Sequence, residues 1–132
     1  MFFRRYKKAL IWMIVILVLS VVPGSAFEPV EIPFWKQIYL DKIVHAGMYF
    51  LLYCFIRPGL FSLSPRYAVI TALLITISYG GLMELVQGIK IIARSSDFKD
   101  MIGNITGAVF ATVFFPLLIK KRFFYNIFIS MR

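Results

Sequence analysis

The sequence predicts an all-α polytopic membrane protein, with four transmembrane helices in a compact bundle that forms one domain over residues 1–132. Three observations carry that expectation. Hydrophobic residues make up 61% of the chain and charged residues only 16%, against roughly a quarter charged in an ordinary soluble domain. This apolar share furnishes about four spans of roughly 20 residues each and leaves little for a separate globular domain. The apolar residues fall in four runs, at about 9–22, 43–56, 67–86 and 101–119, and basic residues bracket them.

The first run follows Arg4, Arg5, Lys7 and Lys8 and precedes Pro23, Gly24, Ser25 and Ala26. A basic start, an apolar middle and small residues also suit a signal peptide. A span is preferred, because cleavage would leave three spans and put the basic C-terminus outside. The second run contains His45, Gly47 and Tyr49 and stops at Arg57-Pro58-Gly59. The third is richest in β-branched residues and carries Gly80, Gly81 and Glu84 near its end, while the fourth ends in Lys120, Lys121 and Arg122. The formal net charge of +9 would suggest nucleic acid in a soluble protein. Here no stretch interleaves basic and aromatic residues away from the expected membrane surface, so no nucleic-acid partner is expected. Cys54 is the single cysteine, which excludes an intrachain disulfide.

Loops with excess Lys and Arg stay in the cytoplasm. The N-terminal cluster, the Arg57 and Arg66 pair and the C-terminal cluster all call for the same side, and four spans satisfy them together. The expected location is the cell membrane, with both termini cytoplasmic. The connections at about 23–40 and 87–99 then face outward. The first, with Pro23, Pro29, Pro33, Phe27, Phe34, Trp35 and Tyr39, suits a non-helical or briefly helical cap at headgroup level. The tail after Ile119 suits an anchor along the inner surface.

This topology gathers Asp41, Lys42, His45, Glu84, Gln87, Arg94, Asp97, Asp100 and Asn104 at the outward end. Asp41, His45 and Tyr49 recur every four residues and share one helix face; Glu84 and Gln87 are three apart on the next span. Asp97, Asp100, Asn104, Gly107 and Ala111 form one stripe, and Gly103 with Gly107 makes a GxxxG that admits a close neighbour. A polar group within a span costs several kcal/mol unless it is paired or reaches water. Mutual satisfaction is one solution: Arg94 clamped by Asp97 or Asp100, Asn104 bonding across helices, and His45 held by Glu84. Packing four helices does not require such an assembly, since apolar side chains would do the same at lower cost.

The ordered set Asp41-Lys42-Ile43-Val44-His45, Tyr49, Glu84-Leu85-Val86-Gln87, Arg94, Asp100, Asn104 and Gly107 resembles the pattern of VanZ-like membrane proteins over about residues 39–111. Asp97 matches the pattern less closely, and Ala111 stands where many relatives carry a further glycine. The resemblance implies a bacterial cell-envelope protein of a family whose founding member is associated with teicoplanin resistance. It implies a fold and a site and little mechanism, because the family has no settled biochemical activity.

Two functions are open. One is modification of an anionic envelope lipid or lipid-linked cell-wall precursor, with His45, Glu84, Asp41 and Asp100 as catalytic groups and Lys42, Tyr49, Gln87, Arg94 and Asn104 holding substrate. In that scheme Arg94 and Lys42 grip a phosphate or carboxylate, His45 moves a proton, and Glu84 orients it or serves as the base. No motif marks Ser95 or Ser96 as a nucleophile. The other is a binding module for a lipid headgroup, a glycopeptide-like ligand or a partner membrane protein. A metal held by His45 with Asp41, Glu84 and the Asp97/Asp100 pair is opposed by the nearby Arg94 and Lys42 charges, so none is assigned and cofactors stay open. The lipid bilayer is the expected partner. Transport is a further alternative, but so small a bundle leaves little room for a pathway unless subunits associate as a homo-oligomer.

Overall fold

The computed structural model describes residues 2–22, 34–88 and 98–129. Among the described residues every regular element is helical: α1 Phe2–Val21, α2 Phe34–Ile56 with a 3₁₀ turn at Arg57–Leu60, α3 Pro65–Gln87, α4 Phe98–Leu118 and the short α5 Arg122–Phe128. Three segments, Leu40–Leu60, Pro65–Gln87 and Phe98–Leu118, are long and apolar enough to cross a membrane. At 20 residues α1 reaches roughly 30 Å. Its four basic residues at 4, 5, 7 and 8 keep it outside that set.

The expected spans fall inside the observed helices, but α2 starts well before residue 43. Residues 34–39, expected in a non-helical or briefly helical outer cap, are helical and continuous with α2, because nothing from Phe34 to Ala46 breaks a helix. The expected connections at 23–33 and 89–97 lie outside the described residues. At the other end of α2, Pro58, Gly59 and Leu60 are buried in the 3₁₀ turn, and the Tyr6 hydroxyl donates to Gly59 O at 3.0 Å.

Helix α4 packs chiefly on α2, and α1 lies against α2 and α3. Contacts along the bundle fix the directions. Lys42 and Ala46 face Gly103 and Gly107 while Tyr53 faces Phe115, so α2 and α4 run parallel. Tyr6 meets Gly59 while Trp12 Nε1 donates to Met48 O at 2.9 Å, so α1 runs opposite to α2. The Tyr79 hydroxyl reaches Met13 O at 2.6 Å and ties α3 to α1. Large apolar side chains such as Ile14, Leu74, Leu85, Phe110 and Val113 are exposed, whereas Thr76, Asn104 and Gln87 are buried. This inverted distribution suits a lipid surround.

The tail does more than lie on a surface. Phe128 is buried, with its ring 5.5 Å from Phe55 and 6.3 Å from Phe115, and Lys8 Nζ donates to Ile127 O at 2.5 Å. That lysine satisfies a carbonyl at the end of α5, where a helix has acceptors without donors.

Candidate functional site

At the end opposite Tyr6 and Phe128, polar side chains from α2, α3 and α4 meet. Their approach depends on glycine. A β-carbon on Gly107 would run into the Ala46 carbonyl, and one on Gly103 would stand 3.3 Å from Lys42 O and 3.4 Å from His45 Cβ. The GxxxG therefore lets α4 lie directly on the α2 backbone. On α3, Gly80 plays a similar part: a β-carbon there would be 3.1 Å from the Tyr49 ring and 3.4 Å from Asn104 Cβ.

Within that seam three buried side chains form a chain. Asn104 Nδ2 donates to Glu84 Oε1 at 3.3 Å, and His45 Nδ1 lies 2.9 Å from Asn104 Oδ1. When ionised, Glu84 accepts only, and it then takes the amide nitrogen of Asn104 on its side, which presents Oδ1 to His45. An amide oxygen also accepts only, so Nδ1 carries the imidazole proton. In the neutral ring the lone pair then sits on Nε2, which faces Asp41 Oδ1 at 3.8 Å, beyond hydrogen-bond range. The expected direct contact of His45 with Glu84 is replaced by this relay, because Asn104 projects from α4 between α2 and α3.

Asp100 bonds the Lys42 ammonium, which is also 3.4 Å from Asp41 Oδ2. The expected clamp by Arg94 cannot be placed, since Arg94, Ser95, Ser96 and Asp97 lie outside the described residues. Asp41, His45 and Asp100 bring one donor atom each within 4.8 Å of one another. Tyr49 is fully buried against Gly80, beneath Asn104.

Two openings flank the cluster. Between α1, α2 and α3 a cavity of about 270 Å³ is lined by Asp41, His45 and Gln87, with Ser20, Leu19, Val44 and Met48. On the other flank of α2, a crevice of about 520 Å³ toward α4 is lined by Lys42 and Lys99, with Ile43, Ala46, Ile102, Gly103 and Thr106. The sequence argument missed Ser20 and Lys99. Ser20 was legible from topology, because an α1 running from the basic end delivers its last turn to the polar end. Lys99 adjoins Asp100 on the first turn of α4, and that adjacency is the signal in the sequence that places it at the polar end.

The Glu84–Asn104–His45 relay fixes an imidazole with its proton-accepting nitrogen toward carboxylates and a cavity, an arrangement suited to general base work or to cation ligation. Comparison of the chain with protein-family models, curated proteins and solved structures gives no match.

Proposed function

We propose that this chain is a VanZ-like bacterial cell-membrane protein whose fourth span is α1. Both termini are cytoplasmic, and its outward-facing polar end modifies an anionic envelope lipid or lipid-linked cell-wall precursor. The observation that carries the reading is the oriented imidazole of His45, buried at 5% exposure and facing the cavity. Holding one histidine tautomer through two buried partners costs stability in a bundle that apolar side chains would pack as well. His45 Nε2 takes the proton, Asn104 and Glu84 hold the ring, and Asp41 and Asp100 set the charge around it. Lys42 and Lys99 favour an anionic headgroup in the crevice, whose apolar walls and small-residue floor suit an acyl chain. Arg94 is assigned to the same headgroup by the family resemblance, Gln87 to substrate polar atoms, and Tyr49 to the floor beneath Asn104. The orientation follows from the basic residues gathered at the other end.

The test is an untargeted comparison of envelope lipids and precursors in a deletion strain and in strains carrying wild type, Glu84→Gln or His45→Ala. Both variants should insert and accumulate the unconverted species seen in the deletion strain. Profiles identical across all four strains would contradict the reading.

A binding module without bond making is the second reading. One observation favours it: no hydroxyl or thiol is hydrogen-bonded to His45 among the described residues. An enzyme leaves a chemically altered lipid, whereas a binder returns it intact.

A further inference from the structure

We propose that Asp41, His45 and Asp100 bind one divalent transition-metal ion, of the zinc or manganese class, in exchange for the Lys42 ammonium. Asp41 and His45 lie on successive turns of α2 and Asp100 on the first turn of α4, where the glycine seam holds the two helices together. Their donor atoms all fall within 4.8 Å of one another. Donors at about 2.0–2.2 Å from one tetrahedral ion stand about 3.4 Å apart, so the triangle must close by up to about 1.4 Å as the ion binds.

The histidine supplies an independent observation. It is 5% exposed, its Nδ1 is engaged by Asn104, and its Nε2 lies 3.8 Å from an Asp41 oxygen. The ring nitrogen and a carboxylate oxygen face each other beyond hydrogen-bond distance. A cation placed there satisfies both. The Asn104 side-chain carbonyl, on an amide whose nitrogen donates to Glu84, is the kind of outer partner that fixes the ring of a metal-binding histidine.

Lys42 marks the same place from the other direction. Its ammonium bonds Asp100 and stands 3.4 Å from Asp41, so it supplies the positive charge that two neighbouring carboxylates demand. That charge is carried on a flexible stem that also lines the crevice toward α4. Entry of an ion swaps one positive charge for two beside the carboxylates and sends the ammonium into the crevice beside Lys99. The repulsion that argued against metal in the sequence thus becomes a competition. The imidazole nitrogen favours zinc over calcium or magnesium, which take oxygen ligands, and the two carboxylates also suit manganese. A bound ion occupies the Nε2 lone pair, so in the metal-loaded site His45 is a ligand and not the proton acceptor; ion binding is independent of any bond making, and unchanged envelope lipids leave it intact.

The experiment uses the full chain in lipid nanodiscs, titrated with Zn²⁺ or Mn²⁺ and analysed for bound ion per chain. Wild type should bind a single ion. His45→Ala and Asp100→Asn should weaken binding by about 10–100-fold, and Asn104→Ala by about tenfold. Lys42→Met should tighten it by about tenfold, since the competitor is gone. A purely structural ion pair predicts the reverse for Lys42→Met, namely lost thermal stability and no gain in metal. Metal-free unfolding of each variant is recorded alongside, so that a misfolded protein is not scored as a lost ligand. Lys42→Met binding no tighter than wild type, or folded His45→Ala binding as well as wild type, overturns the proposal.

Discussion

Arg4, Arg5, Lys7, Arg66, Lys120, Lys121 and Arg122 are exposed at one end of the bundle, whereas at the other His45, Glu84, Gln87, Asp100 and Asn104 are each 8% exposed or less. The exposed charges at the basic end stay in contact with water or headgroups, and Lys8 caps a helix there. Its interior is aromatic, with Phe55, Phe115, Phe124 and Phe128 in mutual contact. The polar end buries its ionisable groups and networks them. Charges placed in solvent cost little and specify orientation; charges placed inside must be held by partners, and each partner restricts the others. The difference separates a region whose charges face outward from one whose polar groups are buried and bonded to one another.

Substitutions should respect that division. The largest effect is expected where backbone meets backbone. Gly107→Leu drives a side chain into the Ala46 carbonyl and should cost about 3 kcal/mol or more, seen as loss of a monodisperse species in size-exclusion chromatography. Gly47→Ala is the matched control, because a β-carbon there meets nothing within 4 Å, and it should be neutral or stabilising by up to about 1 kcal/mol. Asn104→Ala comes next. It strands both His45 and Glu84 and should cost about 1–3 kcal/mol in thermal unfolding. At the basic end Tyr6→Phe removes one hydrogen bond to Gly59 and should cost about 0.5–1.5 kcal/mol. The smallest change is expected for Lys121→Ala, within about 0.5 kcal/mol, since that side chain is exposed. An Asn104→Ala cost no larger than that of Lys121→Ala would erase the contrast between the ends.

Much of this was legible in the sequence for identifiable reasons. Long apolar runs fixed the helices, and the spacing of Asp41 and His45, or of Asp100 and Asn104, fixed which residues share a face. The glycines at 103 and 107 foretold the close α2–α4 seam. Partner choice was not legible, because it depends on which helix lies between which. Asn104 comes between His45 and Glu84, and Lys42 reaches Asp100 across the seam, only because α4 packs chiefly on α2. The early start of α2 was obscured by aromatic residues that suit an interface as well as a helix. The burial of Phe128 was hidden because a seven-residue tail helix has no periodic signature of its own.

The account turns on the proton of a single side chain, and the chain contains one histidine. Nitrogen-15 NMR of the imidazole, in protein labelled at histidine and held in lipid nanodiscs, therefore reads His45 without assignment. The expected spectrum of the neutral, metal-free ring has Nδ1 protonated and Nε2 carrying the lone pair, with the two signals drawn together by tautomer averaging in Asn104→Ala. A wild-type ring protonated at Nε2 would contradict the relay and with it the proposed role of His45.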